Sequence, residues 1–399
     1  MNVQRVHELR NRTLVAVLAV AVYMFCRTIV LYGVSVDDAT ARAAGAPNLL
    51  SMMLSGDRYR ITVMALGVAP YINASLLVQI LFAFRSASSR AKISKMQHER
   101  WRLVTSIAFA LVMAVMLAFG LTFEEGAGPL WALRLIAIAE VFAGAMLTNF
   151  LCIQNEKHGV GASMPIILVN IATSLAQSLD VNHFSSFPWV WALCAIAIVG
   201  TILMENSLIR LPLQRVSIHN VHADQNYLAY KRSPMGIMPV MFAASAFLLP
   251  YYFIGWLASV FPGNASIAYA ADHMSLTDPV GAGVYLALIV ALSVLFSFLM
   301  LNPKDTAHQL QRNGDSIVGL PAGKQTQRRL SGIVLTWSLV AGVLQAACMA
   351  VSLALAMQGG IPTALALIPA SVMIVVSICC SLAQEIMAYY RYDAYRFFM

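Results

Sequence analysis

Apolar residues come in ten long runs, 13–32, 61–84, 103–123, 135–152, 162–179, 188–204, 236–257, 281–301, 333–357 and 361–386, with short polar stretches between them. A helix needs about 20 mostly apolar residues to cross the hydrocarbon core of a bilayer, so each run predicts one spanning helix. The fold class that follows is an all-α polytopic membrane protein with ten transmembrane helices. The first run follows Arg5, Arg10 and Arg12 as a signal peptide would. It continues through Phe25, Cys26 and Arg27 without a small-x-small cleavage site, so it is expected to stay as the first helix.

Two runs share a local pattern. Gly67-Val68-Ala69-Pro70-Tyr71-Ile72-Asn73-Ala74 and Gly236-Ile237-Met238-Pro239-Val240-Met241-Phe242-Ala243 both read Gly-x-x-Pro-x-apolar-x-Ala, five runs apart. An odd offset makes the two helices run in opposite directions. This predicts two inverted five-helix halves, 1–180 and 181–399, around a central pore. Within each helix the proline should free a carbonyl one turn back and bend the axis, while the glycine admits another backbone. Freed backbone groups in a membrane need protein or a water-filled cavity to satisfy them. The second and seventh helices are therefore expected to line a cavity. Between the first two runs, Pro47 to Asp57 is too short to span; it fits either a helix lying on the outer surface or a re-entrant segment.

Charge orients the chain. Of 399 residues, 59% are hydrophobic and only 11% charged, with a net charge of +8, whereas soluble domains are about 25% charged. Placing the N-terminus inside puts most of the 26 lysines and arginines on cytoplasmic segments, above all 85–102 and the loops 205–235 and 302–332, as the positive-inside rule requires. The reading is a multi-pass membrane protein with both termini cytoplasmic. Basic residues spread over loops report topology, so no nucleic-acid partner is expected.

Little in the sequence suggests catalysis or a cofactor. Cys26, Cys152, Cys194, Cys348, Cys379 and Cys380 lie in or at the ends of apolar stretches without CxxC or Cys/His spacing, and read as small packing residues. His219, His222 and Asp224 are a weak metal pattern in a polar loop. No GxxxxGK[ST] phosphate loop, HExxH or Ser/His/Asp set is present, so any energy source lies outside the chain. Glu140 stands in the middle of the fourth run, where an ionisable group is costly and usually functional. It supports a rival reading, a secondary transporter of a small solute built on an inverted repeat. Without a nearby charged partner in sequence, it fits better as a hydrogen-bonded packing residue.

The sequence around these motifs resembles the SecY family of protein-conducting channels. Ala65 to Ser75 is similar to that family's second helix, and follows a segment ending in Ser55-Gly56, as the family's plug does. Glu156-Lys157-His158-Gly159-Val160-Gly161 resembles the loop before its fifth helix, and Met238 to Ala243 its seventh. Asn302-Pro303 and Gly323-Lys324-Gln325-Thr326 resemble its last large cytoplasmic loop. Pro212 to Asn220, followed by Tyr230 to Gly236, looks most like the accessory SecY of Gram-positive bacteria. The resemblance implies a channel subunit that passes unfolded polypeptides, in the accessory branch serine-rich glycosylated surface proteins, with an external accessory SecA-type ATPase as motor. Small SecE/SecG-like membrane subunits are the further partners it implies.

The resemblance also assigns residues. It implies an apolar pore ring of Val68, Ile72, Met164, Leu168, Met241 and Met373; the pairs 68/72 and 164/168 are spaced to project from one helix face, and a dewetted apolar waist holds ions back. It implies a plug in 47–57 carried by Leu49, Leu50, Ser51, Met52, Met53 and Leu54, and a lateral gate with polar contacts at Asn73 and Ser245. Motor docking is expected at Arg210, Arg215, Lys231, Arg232 and Lys324. Where the family usually has Arg-Pro-Gly in its last loop, this chain has Pro321-Ala322-Gly323, which puts that arginine's contact with the motor in doubt.

Overall fold

The structure is a computed structural model that describes residues 8–34, 62–83, 94–121, 123, 128–181, 188–215, 227–244, 246–247, 254, 257, 269, 273–274, 276, 278–321, 323–358 and 363–395. Its contacts divide the chain into two compact units, 1–84 with 89–187 and 374–399, and 188–373 with 85–88.

The first unit contains α1 (Glu8–Cys26), α2 (Ala69–Ala83), α3 (Lys95–Gly120), α4 (Leu130–His158), α5 (Met164–Val181) and most of α11 (Ile368–Tyr395). Ser94 and Gln97 close a reciprocal cap at the start of α3, each side chain bonding the other's amide at 3.2 Å, which satisfies two donors the first turn leaves open. The apolar core gathers Leu31, Val34, Leu66, Ala110, Ala114, Val141 and Ala145. The small residues on α3 and α4 let backbones approach. At Gly144 the approach is closest: a Cβ there would lie 2.0 Å from the Val63 carbonyl oxygen.

The second unit holds α6 (Pro188–Asn206), α7 (Pro279–Leu301), α8 (Pro303–Asn313), α9 (Lys324–Met357) and α10 (Thr363–Ala366). It also holds strands β1 (Leu208–Arg215), β2 (Tyr227–Lys231) and β3 (Asp315–Ile317) in the order β2-β1-β3, both pairings antiparallel. Helices α7 and α9 pack through small side chains. Ser293 Oγ donates to the Ser338 carbonyl at 2.8 Å, and a Cβ on Gly342 would sit 2.9 Å from that of Ser293. Asn302, left-handed at φ 36°, ends α7 and starts α8.

Among the described residues, seven helices are long and apolar enough to cross a membrane, and α2 and α5 are shorter apolar helices. The run 236–257 is described as helix only in part, at 238–244 and a few later positions, so the number of spans reached here is below the ten expected. The expectation of an all-α chain is corrected by the sheet. In β1 the residues alternate between half-buried and exposed from Leu208 to Gln214, a period-2 signal that the apolar windows on either side masked.

The two Gly-x-x-Pro segments differ from expectation in an informative way. Neither proline bends a helix, because each is second in its helical stretch, in Ala69–Ala83 and in 238–244, where its missing N–H costs nothing. Gly67 and Gly236 take left-handed φ values of 50° and 57°, the conformation only glycine adopts freely. The backbone bonds also match position for position: Gly67 to Met64 and Gly236 to Ser233, Ala69 to Leu66 and Met238 to Met235, Ile72 to Val68 and Met241 to Ile237.

Candidate functional site

The expected ring residues sit at the ends of these local devices. In the first unit, Val68 ends the turn before α2 with no exposed surface, and its carbonyl accepts the Ile72 amide at 3.0 Å. Ile72 is buried as well. Met164 opens α5 with Leu168 one turn later, both half-buried. In the second unit, Met241 lies buried in the 238–244 helix, and Met373 on α11 is buried. Asn73 is half-buried on α2, and its buried Oδ1 has no donor among the described residues. Ser245, the plug segment 47–57 with Leu49 to Leu54, and the set His219, His222 and Asp224 lie outside the described residues.

The turn before α5 is clasped in the first unit. The Asn155 amide donates to the carbonyls of Val160 at 3.0 Å and Ala162 at 2.5 Å. The Gly161 amide donates to Glu385 Oε1 at 3.2 Å, and Arg12 reaches the Gly159 carbonyl and the Tyr389 hydroxyl. Gly161 is left-handed at φ 74°. The sequence picked out the Glu156–Gly161 motif but not these partners, which come from α1 and α11.

At the same end of α4, Arg102 Nη2 pairs with Glu156 Oε2 at 2.7 Å and lies over the Tyr71 ring at 5.1 Å. Lys157 and Glu99 stand 3.7 Å apart. Glu140 accepts a hydrogen bond from the Tyr32 amide at 3.2 Å, in keeping with a packed, hydrogen-bonded group.

The basic residues expected to dock a motor gather in the second unit. Arg210 on β1 is opposite Ala229 and Leu208 opposite Lys231, so one hairpin carries Arg210, Lys231 and, at the end of β1, Arg215. Arg210 is exposed and lies over the Tyr227 ring at 5.0 Å; Arg232 lies over Trp337 at 4.9 Å. Lys231 Nζ is 3.6 Å from the buried Glu205. Lys324, Arg328 and Arg329 are exposed on the first turns of α9. Under the sheet, Tyr230, Ala307, Leu310, Ile317 and Leu330 form a small core, tying the hairpin to α8 and α9. Burial pushes the Tyr230 phenol above its ordinary value. Among the described residues no group of three or more His, Cys, Asp or Glu is placed to hold a metal.

Comparison with known proteins adds scale. The family model described as SecY matches residues 62–383. The accessory Sec system protein translocase subunit SecY2 of Leuconostoc gelidum subsp. gasicomitatum is 25% identical over 363 aligned positions, covering 85% of each chain. The protein translocase subunit SecY of Bacillus subtilis is 24% identical over 429 aligned positions, covering 100% of this chain and 98% of that one. A solved structure titled "The structure of a protein conducting channel" superposes with a TM-score of 0.65 at 16% identity, over 96% of this chain and 93% of the other.

Proposed function

The chain belongs to the SecY family, and from that premise we propose that it is the channel subunit of an accessory Sec translocase in the bacterial plasma membrane. The observation that carries this is the breadth of the match: one family model covers 62–383, and the fold likeness to a protein-conducting channel extends over 96% of the chain. The SecY2 relative supports the accessory branch. On this reading the substrates are unfolded polypeptides, serine-rich glycosylated surface proteins among them, and the motor is an accessory SecA-type ATPase that docks on Arg210, Arg215, Lys231, Arg232 and Lys324. Small SecE/SecG-like membrane subunits complete the complex, and both termini are cytoplasmic.

Val68, Ile72, Met164, Leu168, Met241 and Met373 form the constriction. Its physics is that of a dewetted waist: apolar side chains deny ions their hydration, and unbranched methionines deform around a passing chain. Leu49 to Leu54 seal it from outside, and Asn73 with Ser245 mark a lateral exit. The matching bonds of Ile72 and Met241 to the residues four positions back support treating the two Gly-x-x-Pro segments as equivalent parts of a repeat.

Reconstitution into vesicles with the motor and ATP tests the reading. An unfolded serine-rich precursor becomes protected from external protease only when both chain and motor are present. Uptake of a radiolabelled small solute without the motor, and no precursor protection with it, would instead establish the transporter alternative and give Glu140 a role.

A further inference from the structure

A cavity of about 60 Å³ lies within the second unit, between α6, the 233–237 turn, α9 and Met373. Its walls change character along α6. Glu205 stands at one end and Thr201, Gly200, Ala197 and Ile196 follow, the last about 14 Å from Glu205 along the axis at 1.5 Å per residue. The α9 side of the cavity is lined by Ala341, Leu344, Gln345 and Cys348. Ile196 and Leu344 are 62% and 40% exposed on helices long and apolar enough to span, so the cavity opens toward lipid.

Two of the lining side chains, Gln345 and Glu205, carry acceptors. Gln345 donates from Nε2 to the Gly236 carbonyl at 2.7 Å, while its Oε1 is buried with no donor among the described residues. The Glu205 side chain is 4% exposed, with the Lys231 ammonium 3.6 Å away and 38% exposed. Trp337, with Arg232 over its ring, is the kind of residue that marks a membrane–water interface. Two acceptors lining one cavity, one of them with a cation 3.6 Å away, together with an apolar slot open to lipid, match a zwitterionic amphiphile.

We propose that this cavity binds the head of a phospholipid bearing a primary ammonium, with the ammonium donating to Gln345 Oε1 and Glu205, the phosphate beside Lys231, and an acyl chain leaving along Ile196 and Leu344. A primary ammonium offers three N–H donors, whereas a choline head offers none and an uncharged glycerol head leaves Glu205 without a new cation. A lipid held here also braces Gln345, which anchors Gly236 and hence the start of the 238–244 helix. The inference rests on the chain spanning a bilayer and is independent of what crosses it.

The test uses the full chain reconstituted in phosphatidylcholine vesicles with a trace of a diazirine-tailed lipid carrying an ethanolamine, choline or glycerol head, followed by mass spectrometry of labelled peptides. The ethanolamine probe should label 196–205 and 341–348 about tenfold more than the other two. Glu205→Gln should remove about that factor, the loss of one charge-assisted hydrogen bond. Gly200→Leu should abolish labelling; a Cβ at Gly200 meets nothing within 4 Å, so this variant fills the slot without a clash and keeps the test open should Glu205→Gln fail to fold. Equal labelling by choline and ethanolamine probes, preference for the glycerol probe, labelling that survives Gly200→Leu, or none above bulk lipid would each overturn the proposal, the last leaving a cavity that holds about four waters.

Discussion

The Tyr71 hydroxyl donates to Glu156 Oε2 at 3.1 Å, joining the first turn of α2 to the last turns of α4 across 85 residues of sequence. Arg102 completes the group from α3, bonded to the same carboxylate oxygen at 2.7 Å. If α2 is one wall of a lateral gate, this triad holds that wall at one end. Tyr71→Phe removes one hydrogen bond and keeps the ring under Arg102, so it should cost about 1 kcal/mol. The Glu156 side chain is 37% exposed, so solvent screens its ion pair and Glu156→Gln should cost about as little. Each should lower the melting temperature of the detergent-solubilised chain by about 2–4 °C, and in 1 M salt only the charge-dependent part of the Glu156→Gln effect should shrink.

Gly144 gives a sharper contrast. Its missing Cβ leaves room for the Val63 carbonyl, and backbone cannot swing away as a side chain can. Gly144→Ala should cost about 1–3 kcal/mol through overpacking, read as lost yield of folded protein and a lower melting temperature. Gly283→Ala, where a Cβ meets nothing within 4 Å, is the control and should be neutral or slightly stabilising, since alanine is the better helix former.

What could be read in the sequence follows from the range of each interaction. Hydrophobic runs place nine of the helices, because membrane spanning is a local demand on about 20 consecutive residues. Their ends were less legible. The run 13–32 stops being helical at Cys26 because Val30 pairs with Thr62 in an isolated bridge, a contact no window reveals. The same holds for function. The basic loops were visible as charge, but it took the pairing of β1 with β2 to put Arg210 and Lys231 on one hairpin. The Glu205–Lys231 pair and the Gln345–Gly236 bond join residues 26 and 109 positions apart, and were missed for that reason.

The plug assignment rests on sequence and makes an electrical prediction. A short apolar segment docked on an apolar ring adds a second barrier to ions, so its removal should leave only the ring. Deleting Leu49 to Leu54 is expected to raise resting ion conductance across a planar bilayer while leaving the yield of folded protein unchanged. Unchanged conductance would argue that 47–57 lies on the outer surface.

The proposed docking face combines exposed charge with a buried support, and the two can be separated. Leu330 has no exposed surface and sits under the sheet with Ile317 and Leu310, so Leu330→Ala should cost about 2–5 kcal/mol and loosen the hairpin from α8 and α9. Motor binding should then fall even though every cation is retained. Arg210→Glu with Lys324→Glu makes the opposite change, reversing charge on an intact platform. It should slow association with the motor at low salt, and the difference from the unaltered chain should fade as ionic strength rises, since exposed charges are screened beyond about 8 Å at 0.15 M. Surface-bound vesicles titrated with an acidic-faced SecA-type ATPase at two salt concentrations would measure both. Motor binding unaffected by the double reversal at low salt would leave the basic loops with topology alone as their role.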